Sequence, residues 1–125
     1  MSSFLGYLAV FFGAGVGGVL RHAVNRAALF FGSPFPWNTL AINVSGCLAM
    51  GLLAGWLAFR GESGQTLRLF LATGLLGGYT TFSAFSLDAA LLWERGQFWG
   101  AAFYVGDSVV LSIAGMFVGF AAMRS

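Results

Sequence analysis

Charge is scarce in this chain. Among its 125 residues, the six cationic side chains are all arginine, lysine is absent, and four are acidic, so charged residues make up 8%. An ordinary soluble domain carries ~25%, because its surface must face water. So few charges cannot coat a globule of this size, and a soluble fold is excluded. The thin spread of arginine, at a net charge of +2, also excludes a nucleic-acid surface. Cysteine occurs once, as Cys47, which rules out a disulfide framework or a thiolate-rich metal site. Histidine occurs once, as His22, so one chain cannot build a multi-histidine metal cluster. The rest is largely apolar: 58% hydrophobic, with a mean hydropathy of +0.84. That composition belongs to an integral membrane protein, and the length allows one domain.

Four runs free of charge mark the membrane segments: 4–20, 37–59, 69–87 and 96–123, the last interrupted only by Asp107. A helix rises ~1.5 Å per residue and needs ~20 residues to cross ~30 Å of hydrocarbon. With the first and third extended, the spacing predicts a single domain of four transmembrane helices at about 4–28, 37–59, 69–93 and 97–123. A signal peptide is the rival reading of the first run, but no basic residue precedes it and the other runs remain. The connectors are short: the two prolines, Pro34 and Pro36, separate the first two spans, 60–66 is a polar turn, and 94–96 makes the last.

An even number of spans puts both termini and the 60–68 connector on one side. That side holds Arg60, Arg68 and Arg124; the other holds Arg21, Arg26 and Arg95. Three against three leaves the positive-inside rule without a direction. Two readings follow: a weakly biased protein oriented by other means, or dual topology with copies paired antiparallel. Four small helices cannot enclose a sizeable aqueous pore alone, so function calls for an oligomer. Gly13/Gly17 and Gly115/Gly119 have the spacing of close helix packing.

The third run is unusual. Gly77 and Gly78 each cost a helix ~1 kcal/mol relative to alanine, and β-branched Thr80 and Thr81 follow. The glycine pair lies ~14 Å beyond Arg68, near the bilayer midplane. A break there, at Gly77-Gly78, is tolerated only where protein buries it or it lines a cavity, and its freed carbonyls can bind a cation. The plainer alternative is a straight helix whose glycines serve packing.

These residues carry a resemblance. Gly74-x-x-Gly77-Gly78-x-Thr80-Thr81-Phe82-Ser83-x-Phe85-Ser86 resembles the signature of the Fluc (CrcB) family of fluoride channels. Gly17-Gly18-Val19-Leu20-Arg21-His22 is similar to the family's glycine-rich first helix ending in arginine. Asn38-Thr39-Leu40-Ala41-Ile42-Asn43-Val44-Ser45-Gly46 is similar to a second family motif, with Asn38 in place of the usual glycine. The resemblance implies a passive fluoride channel in a cell membrane, the bacterial inner membrane by expectation. It implies an antiparallel homodimer with two pores, each built from both subunits, surrounded by lipid. It also implies a central structural sodium ion held by the Gly77 and Thr80 carbonyls. No catalysis is expected.

The pore residues follow from resemblance and chemistry together. Fluoride is small and strongly hydrated, so a pore must replace its water with donors or positive partial charge. Asn43 offers two amide N–H donors; as a packing residue it would instead bond to a neighbouring helix. Phe82 and Phe85 share a helical face, and aromatic edges are positive. Tyr104, Ser108 and Ser112 fall at i, i+4 and i+8 as a hydroxyl stripe, which resembles the family's polar track together with Thr39. Such hydroxyls otherwise bond to their own helix. Arg21 fits an electropositive vestibule, or snorkels to headgroups.

Two acids stand inside the apolar runs, where a carboxylate is a functional candidate by default. An acid repels an anion, so Asp107 is expected to face away from a pore and Asp88 to sit at a vestibule. The rival function is a small multidrug-type exporter, coupling protons to cationic compounds through a membrane carboxylate. The helix-one acid of that family has no counterpart in 4–20, so Asp107 would have to serve. A non-conducting assembly subunit, the third reading, predicts no ordered polar track.

Overall fold

The structure, a computed structural model, describes residues 2–32, 35–59 and 64–124. Ser33 and Pro34 of the first connector, and 60–63 of the second with Arg60, lie outside the described residues. Everything regular among those described is helical. Helix α1 spans Ser2–Ala28 and α2 spans Trp37–Phe59. Helix α3 covers 65–79: an α turn at Gln65–Arg68, a π-helical stretch at Leu69–Leu76 and a last α turn at Gly77–Tyr79. Helix α4 spans Phe82–Glu94 and α5 spans Phe98–Ala122. Three helices, Ser3–Ala28, Trp37–Phe59 and Phe98–Ala122, are long and apolar enough to cross a membrane.

The expected third span is not one helix, and its break is not at the glycines. Gly77 is helical, with φ −64° and ψ −38°. The chain opens at Thr80 (φ −80°, ψ 157°) and Thr81 (φ −151°, ψ 122°). β-Branched residues favour this extended backbone. The Thr81 hydroxyl then caps α4 by accepting the Ala84 amide at 3.1 Å, one of the donors every helix N-terminus leaves over. The π-helical stretch was not foreseen either; such wide turns are rare and recur at functional sites.

Small residues set the packing. Gly6 lies against Leu69, Gly13 against Phe70 and Gly74, and Gly17 against Leu75 and Tyr79. Numbers rise together, so α1 and α3 run parallel with their backbones in contact. A Cβ on Gly78 would come within 2.6 Å of the Ala14 carbonyl oxygen. Gly78 is therefore needed for helix approach rather than for unwinding. Gly51 and Gly55 of α2 meet Met116 and Phe120 of α5, and Gly119 returns the contact to Leu48 and Leu52. That makes a second parallel pair.

The helix α4–α5 corner closes with Gly96 at φ +81°. The Gly96 amide bonds to the Trp93 carbonyl and the Gln97 amide to that of Leu92, each at 3.0 Å or less. This pattern satisfies the last carbonyls of a helix and needs a residue at ease with positive φ. The turn brings α5 back along α4, and Leu40, Phe85, Leu92, Ala101 and Tyr104 bury one another there. Elsewhere large apolar side chains face outward, among them Phe11 and Phe117, each 70% exposed. A water-facing surface of this kind is untenable for a soluble monomer; lipid or another subunit must cover it.

Candidate functional site

The site begins at the break. An extended residue between two helices leaves its own N–H and C=O unpaired, and buried backbone groups need partners. Asn43 of α2 supplies both for Thr81. Its Oδ1 accepts the Thr81 amide at 2.8 Å and its Nδ2 donates to the Thr81 carbonyl at 3.1 Å. An amide side chain can do this because it carries donor and acceptor in one plane, and one Nδ2 hydrogen remains uncommitted. Nearby, the Thr80 hydroxyl donates to the Leu76 carbonyl at 3.0 Å, and Arg21 Nε donates to the Gly78 carbonyl at 3.2 Å.

These bonds redistribute the helical ladder. The Thr81 amide, which a continuous helix would give to the Gly77 carbonyl, goes to Asn43. The Ala84 amide, which would go to the Thr80 carbonyl, goes to the Thr81 hydroxyl. Gly77 and Thr80 thus lose their i+4 donors while remaining in the same short segment. Carbonyl oxygens are suitable ligands for a hard cation.

Beside the break lies a groove of about 290 Å³. It brings together Asn43 and Cys47 of α2, Thr80 and Thr81, Phe82 and Phe85 of α4, and Ser108 and Ser112 of α5. Carbon dominates its walls, with an amide and a few hydroxyls among them. Phe82 is 78% exposed, so the groove is open on that side. The Ser108 hydroxyl is buried and has no hydrogen-bond partner among the described residues. A buried, unpaired hydroxyl costs on the order of 1–3 kcal/mol.

The other expected residues stand outside the lining. Tyr104 is fully buried and Thr39 is buried, and neither lines the groove. The Phe85 ring bridges the two zones, 5.5 Å from Phe82 and 5.2 Å from Tyr104 between centroids. Tyr104 donates its hydroxyl to Asp88 Oδ2 at 3.2 Å. Asp88 in turn lines a smaller pocket of about 190 Å³ with Asn38 and Arg95. Asn38, the departure from the family's glycine, donates to Asn25 Oδ1 at 2.8 Å and so ties α2 to α1. Gly77, Arg21 and Asp107 line neither space. Asp107 precedes Ser108 by one position, which turns it ~100° around α5 from the groove.

Two participants escaped the sequence reading. Cys47 follows Asn43 by four residues, so helical spacing already put them on one face. Thr81 was visible as a β-branched residue ahead of a new helix, the position of a cap.

A family model described as CrcB-like protein, Camphor Resistance (CrcB), matches residues 8–120. A protein of Nitrobacter hamburgensis named fluoride-specific ion channel FluC 2 is 58% identical over 121 residues, covering 96% of this chain and 98% of that protein. One from Rhodopseudomonas palustris strain BisB5, named fluoride-specific ion channel FluC, is 58% identical over 120 residues, covering 95% and 97%. A FluC of Methylobacterium nodulans is likewise 58% identical over 120 residues, covering 96% and 97%.

Proposed function

The chain belongs to the CrcB family, and from that premise we propose that it is a fluoride-selective channel releasing fluoride passively across a cell membrane. It is a multi-pass membrane protein and not an enzyme. The observation that carries the mechanism is the groove in which the unpaired Ser108 hydroxyl, the Asn43 amide and the Phe82 and Phe85 rings converge.

Dehydrating fluoride requires donors in place of water. The spare Asn43 hydrogen and the Ser108 and Ser112 hydroxyls supply them, and ring edges add positive partial charge without a fixed cation that would trap the ion. A larger halide gains less from the same donors and meets the carbon walls. Beyond Phe85 the path continues past Tyr104 and Thr39 to the Asp88 pocket. There one carboxylate oxygen is engaged by Tyr104 and Arg95 stands nearby, which tempers the repulsion of an anion.

A groove open at Phe82 is half a conduit, and a second copy is the simplest wall. An antiparallel homodimer with two pores accords with the three-against-three arginine map. The Gly77 and Thr80 carbonyls fit a structural sodium ion, since both have lost their helical donors. A sodium ion held by these carbonyls would supply positive charge to offset their dipoles. The proton-coupled exporter is less favoured, because Asp107 lies off the groove and the relatives are named as channels.

Liposomes reconstituted with the protein should release fluoride on addition of an ionophore that clears the counter-potential. Chloride and a cationic dye should stay inside. Dye export driven by a proton gradient would overturn this reading.

A further inference from the structure

The break orphans more than the two carbonyls assigned to the ion. In a continuous helix the Gly78 carbonyl would accept the Phe82 amide, but Phe82 now opens a new helix. Arg21 fills that vacancy through Nε at 3.2 Å, reaching across 57 positions of sequence. Its reach is set by packing: Gly13, Gly17 and Arg21 are spaced four apart on α1. The two glycines seat that face on 70–79, and Ala14 abuts Gly78.

We infer that Arg21 is a positioning residue for the cation site: it occupies the Gly78 carbonyl and thereby leaves the Gly77 and Thr80 carbonyls to the ion. The inference rests on the reading of a structural sodium ion given above. Two physical effects combine. A charge-assisted bond to a backbone carbonyl fixes the last turn before the break more firmly than a neutral one. The bond also takes up the Gly78 oxygen, so that carbonyl does not compete with the neighbouring pair for the ion. An arginine serving only as a vestibule charge would act on anion supply and would leave the sodium requirement alone.

The test uses the purified full-length chain in detergent, with sodium chloride replaced stepwise by N-methylglucamine chloride at constant ionic strength. Thermal unfolding midpoints are read against sodium concentration, for wild type, Arg21→Ala and Arg21→Gln. Wild type should be stabilised by sodium. Arg21→Ala should need about tenfold more for half of the effect, the scale of one lost charged hydrogen bond. Arg21→Gln keeps a donor without charge and should fall between; it carries the test alone if Arg21→Ala does not fold. A variant whose sodium response matches wild type, while wild type itself responds, overturns the role of Arg21 alone. A wild type indifferent to sodium overturns the ion and this inference with it.

Discussion

At the scale of single residues, the two duties proposed for Asn43 pull its substitutions apart. Its pair of bonds to Thr81 holds the break, and the residue also lines the groove. Asn43→Asp keeps the acceptor for the Thr81 amide but turns an oxygen toward the Thr81 carbonyl and adds a charge that repels fluoride. Fluoride efflux from liposomes should collapse, and stability should fall by about 1 kcal/mol, the low end for a carbonyl that loses its partner, because the Thr81 carbonyl is only part-buried. Normal flux in folded Asn43→Asp would make the residue a packing element only. Ser108→Ala should be milder and should not destabilise, because its hydroxyl has no partner to lose among the described residues. Phe82→Ile and Phe85→Ile retain apolar bulk without the ring quadrupole, so each should slow fluoride without admitting chloride. Paired fluoride and chloride flux measurements check both.

Among elements, the interrupted α3–α4 segment concentrates the chemistry, and its two glycines are not equivalent. A Cβ at Gly77 would find its nearest neighbour, the Ala72 carbonyl oxygen, at 3.5 Å, an ordinary contact, whereas at Gly78 it would collide with Ala14. Gly77→Ala should therefore fold with little loss, and Gly78→Ala should be destabilised by about 1–3 kcal/mol, the usual cost of overpacking. Comparable denaturation midpoints for the two variants would contradict the packing account. Thr81→Ala removes the cap on α4, worth ~1 kcal/mol, while leaving the backbone bonds to Asn43 available. It should weaken the start of α4 more than the assembly, which hydrogen exchange at the Ala84 amide would register.

For the whole molecule, the balance of arginines and the open groove support the proposal that copies insert in both directions. Reporter tags on the C-terminus should appear on both sides of the membrane in comparable amounts. Two or three lysines added near Arg124 should bias insertion and lower fluoride efflux until an oppositely biased copy is supplied. A wild-type C-terminus found wholly on one side would remove the antiparallel dimer.

Membrane residence and helicity were legible in the residues because they depend on sums: few charges, long apolar runs and small residues at helical spacing act through solvent transfer and local backbone preference. The groove was partly legible for the same reason, since Asn43, Phe82, Phe85, Ser108 and Ser112 sit at spacings that put each set on one helix face. The position of the break was not. Glycines mark where a helix is weak, but a helix opens where its freed groups find other partners, and those for Thr81 come from Asn43, 38 residues away. Tyr104 shares the stripe of Ser108 and Ser112, yet the α4–α5 corner buries it against Phe85. Arg21 has the sequence of a helix end, and only the glycine contact between α1 and α3 delivers it to Gly78. Such hydrogen bonds between distant elements depend on how helices approach one another, so the tertiary structure alone decided them.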